Sequence, residues 1–421
     1  MEQTWKKTFA IIWSGQFLSV LSSSIVGYAV IFWLSIETRS AEVLALAAIC
    51  GMLPQSVIGF FAGPYVDRWN RKRTMMLSDM FIALCTLLLA VLFWCGAACT
   101  WHIYLLLACR SAGSAFHRPA MQASIPLLAP HTQLTRIAGI NQVISSVSDI
   151  AGPALGALLI SLTGMGTILM LDVAGALIAC TTLLFVRIPD PERHERKPDL
   201  AAEFREGIAA IFAVRGMPWL FGLAIAVLFF IMPVGVLFPL MTLEHFGGGT
   251  YEMSLIEIVW GAGALAGGTV MGLRNYRLNR ILLINAMYVV AGLSFLLSGL
   301  LPASGYGFFA LFTAAAGISS SVFSASFISV VQHRIPADVL GRVLSLYFSL
   351  SLLPAALGLL GTGFLAEEVG LRPTFVIAGC IICLLGITAF LIPSVRGIDR
   401  DEVAERQAQD PAQPAETEER R

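Results

Sequence analysis

Acidic side chains stand inside long apolar runs of this sequence, where a carboxylate could exchange a proton or bind a base. Asp149 and Asp172 lie well within such runs, and Asp79 lies about one turn from the start of another. Proton exchange needs an acid that changes ionisation while a cavity opens beside it, and Asp149, near the middle of its run, is the first candidate. Asp79 and Asp172 are further candidates, with a structural salt bridge as the alternative.

Arg110 stands inside the fourth apolar run. A charge at the depth of a bilayer costs about 2.5–3.5 kcal/mol, so Arg110 must face other helices or a wet cavity. Asp172 lies at a similar depth and could meet it; hydrogen bonds to backbone carbonyls are the alternative. His117, near the end of the same run, is expected to reach the surface. Glu257 is expected at an outer interface, although it could line an opening.

A short loop between the second and third apolar runs gathers small, acidic and basic residues. Its members are Gly63, Asp67, Arg68, Arg71 and Lys72. The glycine lets two helix ends approach, the aspartate can face a helix N-terminus, and the arginines can bind carboxylates across a seam. Asp79 could join this loop. Simple loop charge is the alternative, which explains the arginines but not the glycine or the aspartate.

Small residues recur along the fifth apolar run, at Gly139, Ser148, Gly152, Pro153 and Gly156. Three of them, Ser148, Gly152 and Gly156, fall near one face of a helix, so a neighbouring helix can pack closely there and pivot or kink. An ordinary packing face of small residues is the alternative.

Polar and aromatic side chains within the apolar runs are candidates to line a pocket. They are Gln16, Tyr28, Asn141, Gln142, Phe230, Trp260, Tyr288 and Phe323. Any one of them is more often a core or lipid-facing residue. Together they fit a large amphipathic molecule better than a sugar, which usually calls for more amides and acids.

The composition identifies the elements that must position these residues. Of 421 residues, 57% are hydrophobic and 13% are charged, whereas soluble domains carry about 25% charged residues. This excludes a soluble enzyme, a disordered chain and a nucleic-acid binder, and the 27 basic and 27 acidic residues create no basic field. The eight cysteines show no metal-binding spacing, so we expect no metal site.

About twelve apolar runs are long enough to cross a bilayer, which needs about 20 residues each. The sequence therefore predicts an all-α integral membrane protein with twelve transmembrane helices. An even number places both termini on one side, and most loop arginines and lysines fall on that side. The positive-inside rule then predicts that both termini are cytoplasmic.

Four segments are expected. Residues 1–187 form a six-helix bundle, 188–216 a cytoplasmic linker with an amphipathic helix, 217–395 a second six-helix bundle, and 396–421 a disordered cytoplasmic tail. The bundles repeat in register, because Asn70 and Gly152 recur as Asn279 and Gly358. Parallel six-helix repeats are an architecture of alternating-access transporters.

The loop from Gly63 to Lys72 resembles the G-x-x-x-D-R-x-x-R-K loop of the major facilitator superfamily. The fifth run resembles its antiporter signature, with Ser148 and Ala157 in place of two glycines. Arg110 resembles its R-x-x-x-G pattern, with the glycine three residues on. The stretch from Arg110 to Pro130 is similar to the macrolide-efflux branch.

This resemblance implies two pseudo-symmetric six-helix bundles in the major facilitator fold. It implies that the loop latches the cytoplasmic side in the outward-facing state, that the fifth helix marks an exporter, and that Arg110 takes part in proton coupling. The implied function is proton-coupled antiport of amphipathic drugs, macrolides above all. No G-x-x-x-x-G-K-[ST] motif is present, so the proton gradient would drive transport without a cofactor.

The expected partners are the lipid bilayer, a small amphipathic substrate and protons, with no nucleic acid, and the chain is expected to be a monomer. Two alternatives stay open. The substrate could be an endogenous metabolite, lipid or siderophore, or the protein could be a membrane receptor or scaffold. A membrane enzyme is disfavoured, because no nucleophile–base or metal constellation stands out.

Overall fold

The computed structural model describes residues 2–66, 69–128, 134–186, 188, 200–273, 279–395 and 397–398. Fourteen helices lie within these ranges. In chain order they are α1 (Glu2–Thr38), α2 (Ala41–Val66), α3 (Arg71–Trp94), α4 (Thr100–Leu128), α5 (Leu134–Leu162), α6 (Met165–Leu184), α7 (Leu200–Ala213), α8 (Met217–Val236), α9 (Phe238–Glu244), α10 (Thr250–Leu273), α11 (Arg280–Leu300), α12 (Tyr306–Arg334), α13 (Ala337–Val369) and α14 (Leu371–Leu391).

Twelve of these helices have 20 residues or more, and only α7 and α9 are shorter. Over the described residues, eleven helices are long and apolar enough to cross a membrane. The twelfth long helix, α4, carries Arg110, His117 and Arg118, but it has 29 residues and packs against both α2 and α3. The predicted all-α membrane fold is confirmed.

The long helices form two groups. In the first, α1 packs on α5 and α6, and α3 packs on α4 and α6; in the second, α11 packs on α12 and α14, and α10 packs on α12. The groups meet where α2 contacts α13 and α5 contacts α10. The exact domain boundaries stay a prediction, since residues 187 and 189–199 lie outside the described part.

We name the two ends of the bundle after the course of α1. The proximal end is where α1 begins, together with the α2–α3 loop that contains Asn70. The distal end is where α1 finishes, together with the loop of Arg39 and Ser40. Each long helix runs between these ends.

The repeat seen in the sequence is also a structural repeat. Asn70 caps α3 by accepting a 2.9 Å hydrogen bond from the Arg73 amide, and Asn279 caps α11 through the Leu282 amide at 2.9 Å. Helices α4 and α12 each have 29 residues, and their first residues, Thr100 and Tyr306, are 206 positions apart. A position in one half can therefore be compared with its counterpart in the other.

The linker and the start of the tail pack at the proximal end. Helix α7 contacts α13, where Glu206 pairs with Arg342. Of the predicted tail only residues 397 and 398 are described, and there Ile398 is buried and its carbonyl accepts a hydrogen bond from Arg334. Gly216 adopts a φ of 89°, and a Cβ there would meet the carbonyl of Ser394. The backbone therefore approaches closely at this corner.

Candidate functional site

A buried cluster joins four helices of the first half around one carboxylate, that of Asp172 on α6. Arg110 on α4 donates to Asp172 Oδ2 at 2.5 Å, and Thr86 on α3 donates to the same oxygen at 2.9 Å. Ser23 on α1 donates to Oδ1 at 2.5 Å. Asp172 is 2% exposed. We call these four residues the Arg110 cluster, and its charges are paired and hydrogen-bonded as buried charges must be.

A small apolar pocket lies against Arg110 on the distal side of the cluster. Its lining comes from four helices of the first half: Val26, Gly27, Val30, Leu89, Leu106, Leu107, Arg110 and Leu169. The guanidinium is therefore the polar member of an otherwise hydrocarbon wall.

A second contact between ionisable side chains lies nearer the proximal end, between His117 on α4 and Asp79 on α3. His117 Nε2 is 3.2 Å from Asp79 Oδ1, and the two side chains are 13% and 6% exposed. The expectation that His117 reaches the surface is wrong, because it turns inward to a buried carboxylate that needs a partner. Asp79 pairs with this histidine and not with Arg71.

Small residues of α5 hold α1 at close range along the first half. Ser24 donates to the carbonyl of Ser148 at 2.9 Å. A Cβ placed on Gly152 would lie 3.1 Å from the Tyr28 ring, and one on Gly156 would lie 3.1 Å from the carbonyl of Ile25. Pro153 is buried within the same helix. The surroundings of Gly139 lie outside the described side chains.

The seam between the halves contains two acids near its middle. Asp149 has an exposed side chain at the centre of α5, and its charge acts on Tyr28. Glu257, on α10, is partly buried and also acts on Tyr28. A Cβ on Gly261 would lie 3.6 Å from the carbonyl of Asp149. We call Asp149 and Glu257 the seam acids. Glu257 lies inside the bundle, contrary to its expected place at an outer interface.

The distal end of the seam is closed by contacts between the halves. Phe32 and Ala157 of the first half pack with Met253 of the second. Arg39 pairs with Glu244 at 3.2 Å. Ser40 donates to Glu367, whose carboxylate lies at the N-terminus of α2.

A comparison with protein-family models matches residues 12–359 to the Major Facilitator Superfamily. The chain belongs to this superfamily. It is a transporter and not an enzyme.

Relatives agree with this membership. The chain is 36% identical over 397 residues to Macrolide efflux protein A of Streptococcus pyogenes, covering 94% of this chain and 98% of that protein. It is 24% identical to the Multidrug efflux pump Tap of Mycobacterium tuberculosis, covering 87% and 89%. The chain thus lies near the macrolide-efflux branch of the superfamily.

Solved structures share the fold at low identity. A bacterial homolog of the human lysosomal transporter Spinster, in an inward-facing and unoccupied conformation, superposes with a TM-score of 0.72 at 15% identity, covering 94% of this chain and 98% of that one. A transporter of the POT family superposes with a TM-score of 0.69 at 12% identity, covering 91% and 95%. These likenesses bear on the fold alone.

The loop characteristic of the superfamily is described only in part. Asp67 and Arg68 lie outside the described residues, and so do the surroundings of Gly63. Lys72 donates to the carbonyls of Leu184 and Val186 at 3.2 and 2.7 Å, so it caps α6 within its own half. Arg71 is partly buried, and two of its nitrogens have no hydrogen-bond partner among the described residues. Its latch role stays a prediction.

The pocket candidates fall into two groups. Tyr28, Phe230 and Trp260 are partly exposed, and Asn141 accepts a 2.6 Å hydrogen bond from Trp13. The side chain of Gln142 lies outside the described part of the chain.

The other pocket candidates belong to the core in this conformation, which is the alternative that the sequence left open for each of them. Tyr288 and Phe323 are 1% and 5% exposed, and their rings lie 4.9 Å apart. Gln16 is 1% exposed, and its amide has no hydrogen-bond partner within the described residues. Helix periodicity placed all three in apolar spans, but it does not show which neighbour covers each face.

Proposed function

We propose that this transporter exports amphipathic drugs, macrolides above all, in exchange for protons and by alternating access. It works as a monomer, without a cofactor, in a bacterial cytoplasmic membrane. Similarity to Macrolide efflux protein A over 94% of the chain supports the substrate class. The exposed carboxylate of Asp149, at mid-depth in a seam closed at its distal end, carries the mechanism.

The proximal end is the cytoplasmic end in this proposal. Its loops hold most of the loop arginines and lysines, and the positive-inside rule assigns such loops to the cytoplasm. Substrate then enters from the cytoplasm or the inner leaflet. It reaches the seam beside Tyr28, Trp260 and Asp149, which supply aromatic surface and one carboxylate.

Transport follows from a rocking motion of the halves about this seam. The distal contacts of Phe32, Met253 and Arg39 separate, and the proximal ends close through the loop of Arg71. Asp149 then meets the acidic outer solution and takes up a proton. Neutralising this carboxylate removes its attraction for the bound substrate, which leaves, and the protonated site returns to the cytoplasmic side.

The Arg110 cluster offers a second acid. A proton on Asp172 would break its pairing with Arg110 and leave the guanidinium against the apolar pocket. All the partners of Asp172 lie within the first half, whereas Asp149 lies in the seam that must open and close. Asp149 is therefore the first choice for coupling, and Asp172 is the acid to examine if Asp149 fails.

Inside-out vesicles test the proposal. With an acidic lumen, vesicles that carry the wild-type protein should accumulate radiolabelled erythromycin, and a protonophore should abolish the accumulation. Asp149→Asn should lose the pH-driven part. Ser145→Asn is the matched control, because Ser145 is also exposed and lies one turn away on the same helix.

Two outcomes would contradict the proposal. Uptake by Asp149→Asn that depends on pH as steeply as the wild-type uptake would remove Asp149 from coupling. Absence of erythromycin uptake by the wild-type protein would remove macrolides, and an endogenous metabolite or lipid would then become the substrate class to screen.

A further inference from the structure

We propose that the His117–Asp79 pair is a second proton-exchange site, located inside the first half and open to the cytoplasm, and that it sets how export depends on cytoplasmic pH. The link to export rests on the proposed function, whereas the proton exchange itself does not. In chemical terms His117 takes one proton from cytoplasmic water to become an imidazolium beside the Asp79 carboxylate, and it returns that proton to water.

The pair is one of two polar rungs between α3 and α4. Thr86 and Arg110 make the distal rung at 2.9 Å, and Asp79 and His117 make the proximal one at 3.2 Å. The rungs are seven residues apart on each helix, which is about 10 Å along the axis. Both rungs therefore lie on the same faces of the two helices.

The second half shows that the fold does not need charge at these positions. In the structural register, α3 matches α11 at an offset of 209 residues and α4 matches α12 at an offset of 206. Asp79 and His117 then correspond to Tyr288 and Phe323, whose rings pack at 4.9 Å in the core. An aromatic pair fills the same place in the second half.

The residues that correspond to the distal rung are uncharged as well. Arg110 and Thr86 correspond to Ala316 and Phe295, which are both 1% exposed. Asp172 corresponds to Ala378, because α6 and α14 also begin 206 residues apart. Charged rungs thus occur in one half at places where the other half is uncharged, and packing alone does not require them.

The surroundings of the pair allow His117 to change its charge. Histidine is the side chain that ordinarily titrates between pH 5 and 8. The His117 side chain is 13% exposed, but its Nε2 is buried, so solvent contact is confined to the rest of the ring, and Asp79 is 6% exposed. Neither the second carboxylate oxygen of Asp79 nor His117 Nε2 has a hydrogen-bond partner among the described residues, so the 3.2 Å approach of the two groups is an electrostatic contact.

Other ionisable groups near the pair come from three helices. On α4 itself Arg118 is exposed. On α6 the Cys180 thiol lies close enough to Asp79 to sense its charge. On α3 the basic residues Arg71 and Lys72 begin the helix, about two turns from Asp79.

Helix α2 packs on α4 as well, and Asp67 and Arg68 of the loop that follows it lie outside the described residues. Trp69 of that loop stacks on Phe116, next to His117, at 6.0 Å between ring centroids. His117 therefore follows directly in sequence a residue that contacts the described part of the loop expected to latch the cytoplasmic side, so a change of charge on His117 can act on this loop.

A titration of the purified full-length protein in lipid nanodiscs tests the exchange without transport. The chain has six histidines, and NMR of ring-labelled histidine assigns the His117 signal by its absence in His117→Phe. We expect this signal to change between pH 5 and 8, and the change to differ in Asp79→Asn. A His117 signal that does not titrate in this range, or that ignores Asp79→Asn, would overturn the proposal.

Transport then tests the link to export. In inside-out vesicles the outer solution sets the pH at the cytoplasmic face, so erythromycin uptake is measured from pH 6 to 8 with a constant pH difference across the membrane. Wild-type uptake should change by up to about tenfold across this range, as expected for one group passing from mostly protonated to mostly unprotonated. The double variant Asp79→Tyr/His117→Phe, which copies the second half, should lose this dependence.

A second double variant controls for misfolding of the first. Asp79→Asn/His117→Gln removes both charges with side chains of similar size, and it should show the same flat profile. A pH profile equal to that of the wild type in either folded double variant would overturn the link to export. If wild-type vesicles take up no erythromycin, the proposed substrate fails, and the histidine titration alone decides whether this site exchanges protons.

Discussion

At the scale of single residues, buried charges dominate the first half of this transporter. Asp172 receives three hydrogen bonds from Arg110, Thr86 and Ser23, so its carboxylate is fully compensated. Breaking a buried ion pair by removing one partner typically costs about 3–5 kcal/mol, because the other charge is left unpaired. The Arg110 cluster is therefore both a candidate for coupling and a structural centre.

This gives a prediction for stability. Asp172→Ala should lower the midpoint of thermal unfolding strongly, since Arg110 then stays buried without a counter-charge. The double variant Arg110→Ala/Asp172→Ala should recover part of the loss, because the corresponding residues of the second half, Ala316 and Ala378, are apolar. Unfolding followed by a thiol-reactive dye measures both. A double variant less stable than Asp172→Ala would contradict the account.

At the scale of helices, close contact between α1 and α5 depends on missing side chains. A Cβ on Gly156 would lie 3.1 Å from the carbonyl of Ile25 and 3.3 Å from the amide nitrogen of Ala29. A larger side chain must push the backbones of the two helices apart, whereas a flexible neighbour could simply move aside. Small residues at such contacts are what allow membrane helices to pack at short range.

We predict that Gly156→Val reduces erythromycin export at least about tenfold, because it separates the helices that carry Tyr28 and Asp149. Gly51→Val is the matched control, since no atom lies within 4 Å of a Cβ added there. Export should be compared at equal amounts of protein in the membrane. Equal export by the two variants would show that the close approach of α1 and α5 is dispensable.

Hydropathy was sufficient to predict the helices, since a bilayer forces the backbone of every span to satisfy its own hydrogen bonds. The pairing of Arg110 with Asp172 was also within reach, because both lie at the same depth. The direction in which a side chain points around its helix could not be predicted from the sequence. His117 was expected at the surface, and Tyr288 and Phe323 were candidates to line a pocket. The place of each side chain depends on which neighbouring helix covers it.

At the scale of the whole molecule, the halves are closed against each other at the distal end. A Cβ on Gly363 of α13 would lie 2.9 Å from Cβ of Ala45 on α2. Disulfides join Cβ atoms about 3.5–4.5 Å apart, so a small adjustment permits a cross-link at this point. Such a bond would hold the distal end closed.

Alternating access predicts how this cross-link affects export. The variant Ala45→Cys/Gly363→Cys should lose export after oxidation and regain it after reduction with dithiothreitol. The two single-cysteine variants control for the eight native cysteines, all of which are free thiols. Export at an undiminished rate by the oxidised, cross-linked protein would show that the distal contact does not open during transport.

Erythromycin accumulation in a drug-sensitive bacterium that expresses the chain tests the central claim most directly. We expect accumulation to fall relative to cells without the chain, and a protonophore to restore it. An Asp67→Asn variant, altered in the loop that is expected to latch the cytoplasmic side, should accumulate more drug than the wild type. Equal accumulation with and without the chain, or a reduction that the protonophore leaves unchanged, would contradict proton-driven macrolide export.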